Sequence, residues 1–134
     1  MSDLDSFPTI TIRQPFASLI ADGSKTIELR TWNTKIRGPI LIHAGLHDKH
    51  ENALPYGAIV AIVDLRDVLP INDTCDYATI AQEACVREEW LREQFSFGRF
   101  LYAWYLSGAR KIEPVIPMRG FPGFFKTSSG LIHG

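Results

Sequence analysis

Residues Gly23 to Trp32 read GSKTIELRTW, and their reading decides the fold. If Thr26 to Trp32 is a strand, side chains alternate between its faces, so Thr26, Glu28 and Arg30 share one face while Ile27, Leu29 and Thr31 share the other. The second face is apolar enough to join a core. The first is charged, follows directly on Lys25, and lies between two apolar segments. Charge in such a place implies a pocket or a partner that uses it, and the alternative is that Glu28 and Arg30 neutralise each other.

Working outward, Thr9 to Arg13 (TITIR) alternates as a short strand. Pro15 suits a first helical turn, Phe16, Leu19 and Ile20 supply an apolar stripe, and Gly23 is placed to end that helix in the left-handed region. Pro39 to Ala44 (PILIHA) predicts a buried strand, LHDKHENALP from Leu46 to Pro55 a loop, and Ala58 to Asp64 (AIVAIVD) a central strand. Helical spacing returns over Asp73 to Glu93, with Ala78, Ala81, Cys85 and the pair Trp90 and Leu91 on the apolar side and Asp73 or Thr74 as cap. Phe100 to Leu106 (FLYAWYL) predicts a strand with Phe100, Tyr102 and Trp104 on one face. Ser107-Gly108 then predicts a turn, and Ala109 to Val115 a partner strand. FPGFFK, Phe121 to Lys126, is expected to lay Phe124 or Phe125 over the core.

The order β, α, β, β, β, α, β, β with short connections predicts one α+β domain over residues 1–134, a mixed sheet of about six strands (9–13, 26–32, 39–44, 58–67, 100–106 and 109–115) curled into a small barrel flanked by helices. Its 134 residues suit a single domain, and 46% hydrophobic residues suffice for a core. Fourteen Lys and Arg against 15 Asp and Glu give a net charge of −1, which excludes a polyanion-binding tail and leaves any nucleic-acid site local. The basic run from Arg99 onward is one source for it. Cys75 and Cys85 form no CxxC pair, no signal peptide stands at the start, and no run of about 20 apolar residues is present, so the expectation is a reduced cytoplasmic protein without a membrane span.

These segments together carry a resemblance. TIRQPFASLIADGSKTIELRTW, then RGPILIHA and YGAIVAIVDL, and the closing RGFPGFF resemble an ASCH (activating signal cointegrator homology) domain of the PUA-like barrels, with a GxKxxExR pattern at Gly23, Lys25, Glu28 and Arg30. The resemblance covers nearly the whole chain and implies RNA or a nucleotide-like partner in a cleft between the first helix and the barrel. Lys25 would supply a compact charge, Arg30 a planar fork, and Glu28 an acceptor for base or sugar donors. Trp32 is the candidate stacking residue, and His43 stands at the barrel mouth.

A second implication of the resemblance is a small hydrolase acting on acylated nucleosides, similar to the amidohydrolases of N4-acetylcytidine, or a ribonuclease. Amidohydrolases of that branch would carry a threonine three residues after the lysine, where this chain has Glu28, so Lys25 and Glu28 would have to be the catalytic pair, with Asp64 as the distant carboxylate. His43, His47 and His50 with Asp48 and Glu51 lack the spacing of a zinc site, and the sequence calls for no cofactor or metal.

Overall fold

The computed structural model describes residues 7–46 and 53–127, and the backbone of 131–132. Its elements are β1 (Thr9–Ile12), α1 (Phe16–Ala21), β2 (Ile27–Arg30), β3 (Gly38–Ala44), β4 (Ala58–Pro70), α2 (Tyr77–Ala84), α3 (Glu88–Ser96), β5 (Tyr102–Pro117), β6 (Phe124–Phe125) and β7 (Leu131–Ile132). The strands form one mixed sheet in the order β2-β5-β4-β3-β1-β6-β7. Among the described residues only β1 against β3 is parallel, and the other pairings are antiparallel. No helix among the described residues is long and apolar enough to cross a membrane.

The expected class, α+β with a curled mixed sheet, is the one observed. Curling follows from two contacts that a flat sheet forbids. β5 and β6 are four strand positions apart, which a flat sheet would separate by about 19 Å. Yet Trp104 of β5 stacks on Phe124 of β6 with ring centroids 5.6 Å apart. β2 and β1 are also four positions apart, and Arg30 Nη2 donates to the Thr11 carbonyl at 2.8 Å. The sheet rolls until its β2 edge faces β1, and a guanidinium spans the seam.

Two segments expected as a hairpin are a single strand. Ser107-Gly108 lies inside the 16-residue β5, where the register against β4 passes from Ile62↔Arg110 to Asp64↔Ser107. Three residues of β5 therefore oppose two steps of β4, a bulge, and Gly108 supplies the positive φ of 65° there. Further register shifts between Ile59 and Ala61 and between Leu65 and Asp67 add to the coiling of this pair.

Both faces of the sheet are buried, by different partners. Inside the roll, Ile10, Ile12, Ile40, Ile42, Val63, Leu65 and Trp104 pack with Ile20 of α1 and Phe124. Outside it, Ile27 and Ala103 meet Tyr77, Ile80, Ala81, Ala84 and Leu91 from α2 and α3. The apolar stripe of α2 thus differs from the one read from the sequence, with Ala78 exposed, and the cap is Asp76, whose side chain accepts from the Thr79 N–H. Cys85, at φ 59°, ends α2, so α3 starts with a new phase that buries Leu91 and turns Trp90 outward. Phe100 precedes β5 and is exposed rather than sharing the buried face of Trp104.

Candidate functional site

The site is built where the seam of the roll opens. Gly23 ends α1 at φ +86°, and Lys25 N–H donates back to the Leu19 carbonyl at 3.0 Å, which turns the chain sharply into β2. Thr26 N–H is held by the Glu83 carbonyl of α2 at 2.9 Å. With both sides of this turn fixed, the Lys25 side chain has one direction left, inward.

There Lys25 Nζ donates to the Ala84 carbonyl at 2.5 Å. Ala84 is the last residue of α2, where carbonyls lack helical partners and the helix dipole is negative, so an ammonium supplied from another element satisfies both. The same ammonium lies 4.7 Å over the Phe16 ring and 3.7 Å from Glu28 Oε1. Its side chain is only 2% exposed. Burial lowers the Lys25 pKa from the ordinary lysine value, and the Glu28 charge works against that shift.

Glu28 and Arg30 share a face of β2, as the alternation requires, while Ile27 faces the helices. Arg30 Nε donates to Glu28 Oε2 at 2.9 Å and Nη2 to Thr11 across the seam. Glu28 is therefore an acidic bridge between a buried ammonium and a quarter-exposed guanidinium. The two residues do pair with one another, and they do so inside an open cleft. That cleft encloses about 760 Å³ between α1, the β1 and β2 edges and the α2–α3 turn. Among the described residues Arg13, Lys25, Arg30, Arg87 and Glu28 line it, with Phe16 and Trp90 as its aromatics.

Three of the six sequence-derived candidates, Lys25, Glu28 and Arg30, thus converge. His43 lies on β3 opposite Thr11 and lines an adjoining cavity rather than the cleft itself. Its Nε2 donates to the Met118 carbonyl at 2.6 Å, which leaves Nδ1 to accept from the Thr11 hydroxyl at 3.1 Å. Burial holds its pKa below the usual imidazole value, against the opposing effect of the Met118 bond. Trp32 and Asp64 are elsewhere. Trp32 packs edge-on against Trp104 at 4.9 Å and Phe124 at 5.8 Å, so its ring belongs to the roll's interior. Asp64 sits on β4 between Pro39 and Ser107 and does not line the cleft, which makes it a poor partner for a Lys25-centred reaction.

Arg13, Arg87 and Trp90 are the cleft residues that sequence reading missed. Arg87 and Trp90 come from the turn and helix after Cys85, and no local pattern announces that this turn meets β2. The basic run from Arg99 onward contributes none of the cleft's cations; Arg119 alone of it reaches the adjoining cavity. Among the described residues no three His, Cys, Asp or Glu side chains group as a metal site. His47, Asp48, His50 and Glu51 lie outside the described residues.

Residues 10–116 match the ASCH domain family. Among solved structures the chain is similar to the crystal structure of ASCH from Zymomonas mobilis, at 20% identity and a TM-score of 0.66, over 84% of this chain and 74% of that one. A serine-to-alanine mutant of the same protein matches at 20% identity and TM-score 0.66 over 86% and 76% of the two chains. A tyrosine-to-phenylalanine mutant matches at 22% and 0.61 over 82% and 74%. No curated protein matches.

Proposed function

From the premise that the chain belongs to the ASCH domain family, we propose that it binds RNA or a nucleotide-like ligand in the cleft between α1, the β2 edge and the α2–α3 turn. One observation carries this reading: among the described residues, Lys25, Arg30 and Arg87 with Glu28 line a cleft of ligand size with an exposed indole, Trp90, at its side. Cations attract phosphate, the planar Arg30 fork suits a base edge or a phosphate, and an aromatic face stacks any base. Glu28 retains lone pairs beyond those given to Arg30, so it can accept from an amino or hydroxyl group of the ligand.

Binding stands ahead of hydrolysis of an acylated nucleoside. A water-activating Glu28 would need a carboxylate free to take a proton. Here one oxygen accepts from Arg30 and the other lies 3.7 Å from Lys25 Nζ, so both are already engaged by cations.

Titration of single-stranded and hairpin RNAs at two ionic strengths tests the reading. Arg87→Ala removes an exposed cation and should lower affinity while reducing the salt slope by about one unit. Trp90→Ala should weaken binding at both salt concentrations without altering that slope. If both variants bind as the parent does, the cleft is not the RNA site.

A further inference from the structure

A second cavity, of about 510 Å³, opens beside the cleft, and Thr11, Gly45 and Leu46 line both. Its far wall is the segment Met118 to Pro122 that follows β5. That wall is seated closely. A Cβ on Gly120 would stand 2.8 Å from Thr11 Oγ1 and 2.9 Å from His43 Cε1, an approach that only glycine permits. His43 anchors the same segment through the Met118 carbonyl. What the wall presents is Phe121, tilted on Phe125 at 5.2 Å, with the Arg119 guanidinium 5.5 Å from its ring centre.

Among the described residues the cleft is lined by charged side chains, whereas the second cavity offers an aromatic ring beside one guanidinium and otherwise mainly apolar groups. That pairing matches two successive parts of one ligand: a phosphate-bearing nucleotide and a neighbouring base that needs a stacking surface. Each cavity falls within the roughly 300–1,000 Å³ of small-ligand sites.

We propose that the two cavities form one groove for a single-stranded RNA segment of at least two nucleotides, one held by Glu28 and Arg30 in the cleft and the next with its base against Phe121. This extends the RNA reading given above and depends on it. The Thr11, Gly45 and Leu46 surface is the saddle over which the connecting phosphate passes, and Arg119 is the cation on its far side.

The probes are AMP, the 5′-phosphorylated dinucleotide pApA, and an abasic analogue of pApA lacking the second base, each titrated by calorimetry. The dinucleotide should bind about 5- to 150-fold more tightly than its abasic analogue, the range for stacking of one base. Phe121→Leu, which keeps an apolar side chain against Phe125, should erase most of that ratio and leave AMP affinity unchanged. Phe121→Tyr should restore it. Equal binding of pApA and the abasic analogue overturns the two-compartment groove while leaving the cleft reading intact, as does a Phe121→Leu variant that keeps the ratio. If none of the three probes nor a longer single strand binds, the RNA reading and this extension fall together.

Discussion

Replacing Glu28 by glutamine keeps the shape of the cleft but leaves two cations facing each other. At an effective dielectric of about 20, the contacts of 2.9 Å to Arg30 and 3.7 Å to Lys25 correspond to gross attractions of about 4–6 kcal/mol each. Arg30 is a quarter exposed, so solvent screens much of its share, and removing the carboxylate also recovers its own desolvation cost. Lys25, 2% exposed, has no such relief. The expected net loss is about 3 kcal/mol, the lower end for breaking a buried ion pair. Urea unfolding reads this as a midpoint lower by about 2 M for a slope of about 1.5 kcal/mol/M. Lys25→Met combined with Glu28→Gln should lose much less than the sum of the two single changes, because no uncompensated ammonium remains. A Glu28→Gln midpoint within about 0.3 M of the parent, or strict additivity in the double variant, would refute the view of Glu28 as the counter-charge of a buried lysine.

Two other outcomes follow from the wall of the second cavity. Gly120→Ala pushes a methyl group against Thr11 and His43 and should destabilise the fold by about 1–3 kcal/mol, seen as a lower Tm; an unchanged Tm would mean that the wall is not seated as described. His43 has a folded-state pKa below its unfolded value, so on acidification the unfolded chain takes up this proton first. Its contribution is present above about pH 6.5 and is lost as pH falls from there to the folded pKa. His43→Gln, which keeps a donor for Met118 and an acceptor for Thr11, should flatten this limb in urea midpoints measured from about pH 7 to pH 5. A variant as acid-sensitive as the parent would contradict it.

The alternation in IELR was enough to place Glu28 and Arg30 on one face and Ile27 on the other, because strand geometry fixes faces without reference to neighbours. Lys25 was legible as a charge beside that face but not as the cap of α2, since Ala84 lies 59 residues away in sequence. Ser107-Gly108 misled for a related reason. A serine-glycine step looks the same in a hairpin and in a bulge, and only the length of β4, 13 residues, decides that β5 continues. Trp32 follows a charged strand and enters a polar loop, which suggested an exposed ring. The curl brings Trp104 and Phe124 to it, and curl is a property of the whole sheet. Trp90 reads onto the apolar side of a helix, the usual place for that residue type, and nothing in the sequence singles out Arg87 for a cleft. Their position in the cleft depends on the break at Cys85.

The pairing of Thr9 with Phe125 also bears on how the chain reaches this fold. β3 and β4 are neighbours in sequence, whereas α2 and α3 both lie between β4 and its antiparallel partner β5. β1 reaches its parallel partner β3 across α1 and β2, a comparable distance, but its other neighbour, β6, follows every other strand except β7. The pairing of β1 with β6 is thus a latch of high sequence separation, and it carries a larger loop-closure cost than the other strand pairings described. Thr11 of β1 lines the cleft, so the site depends on a strand that this distant pairing holds on one side.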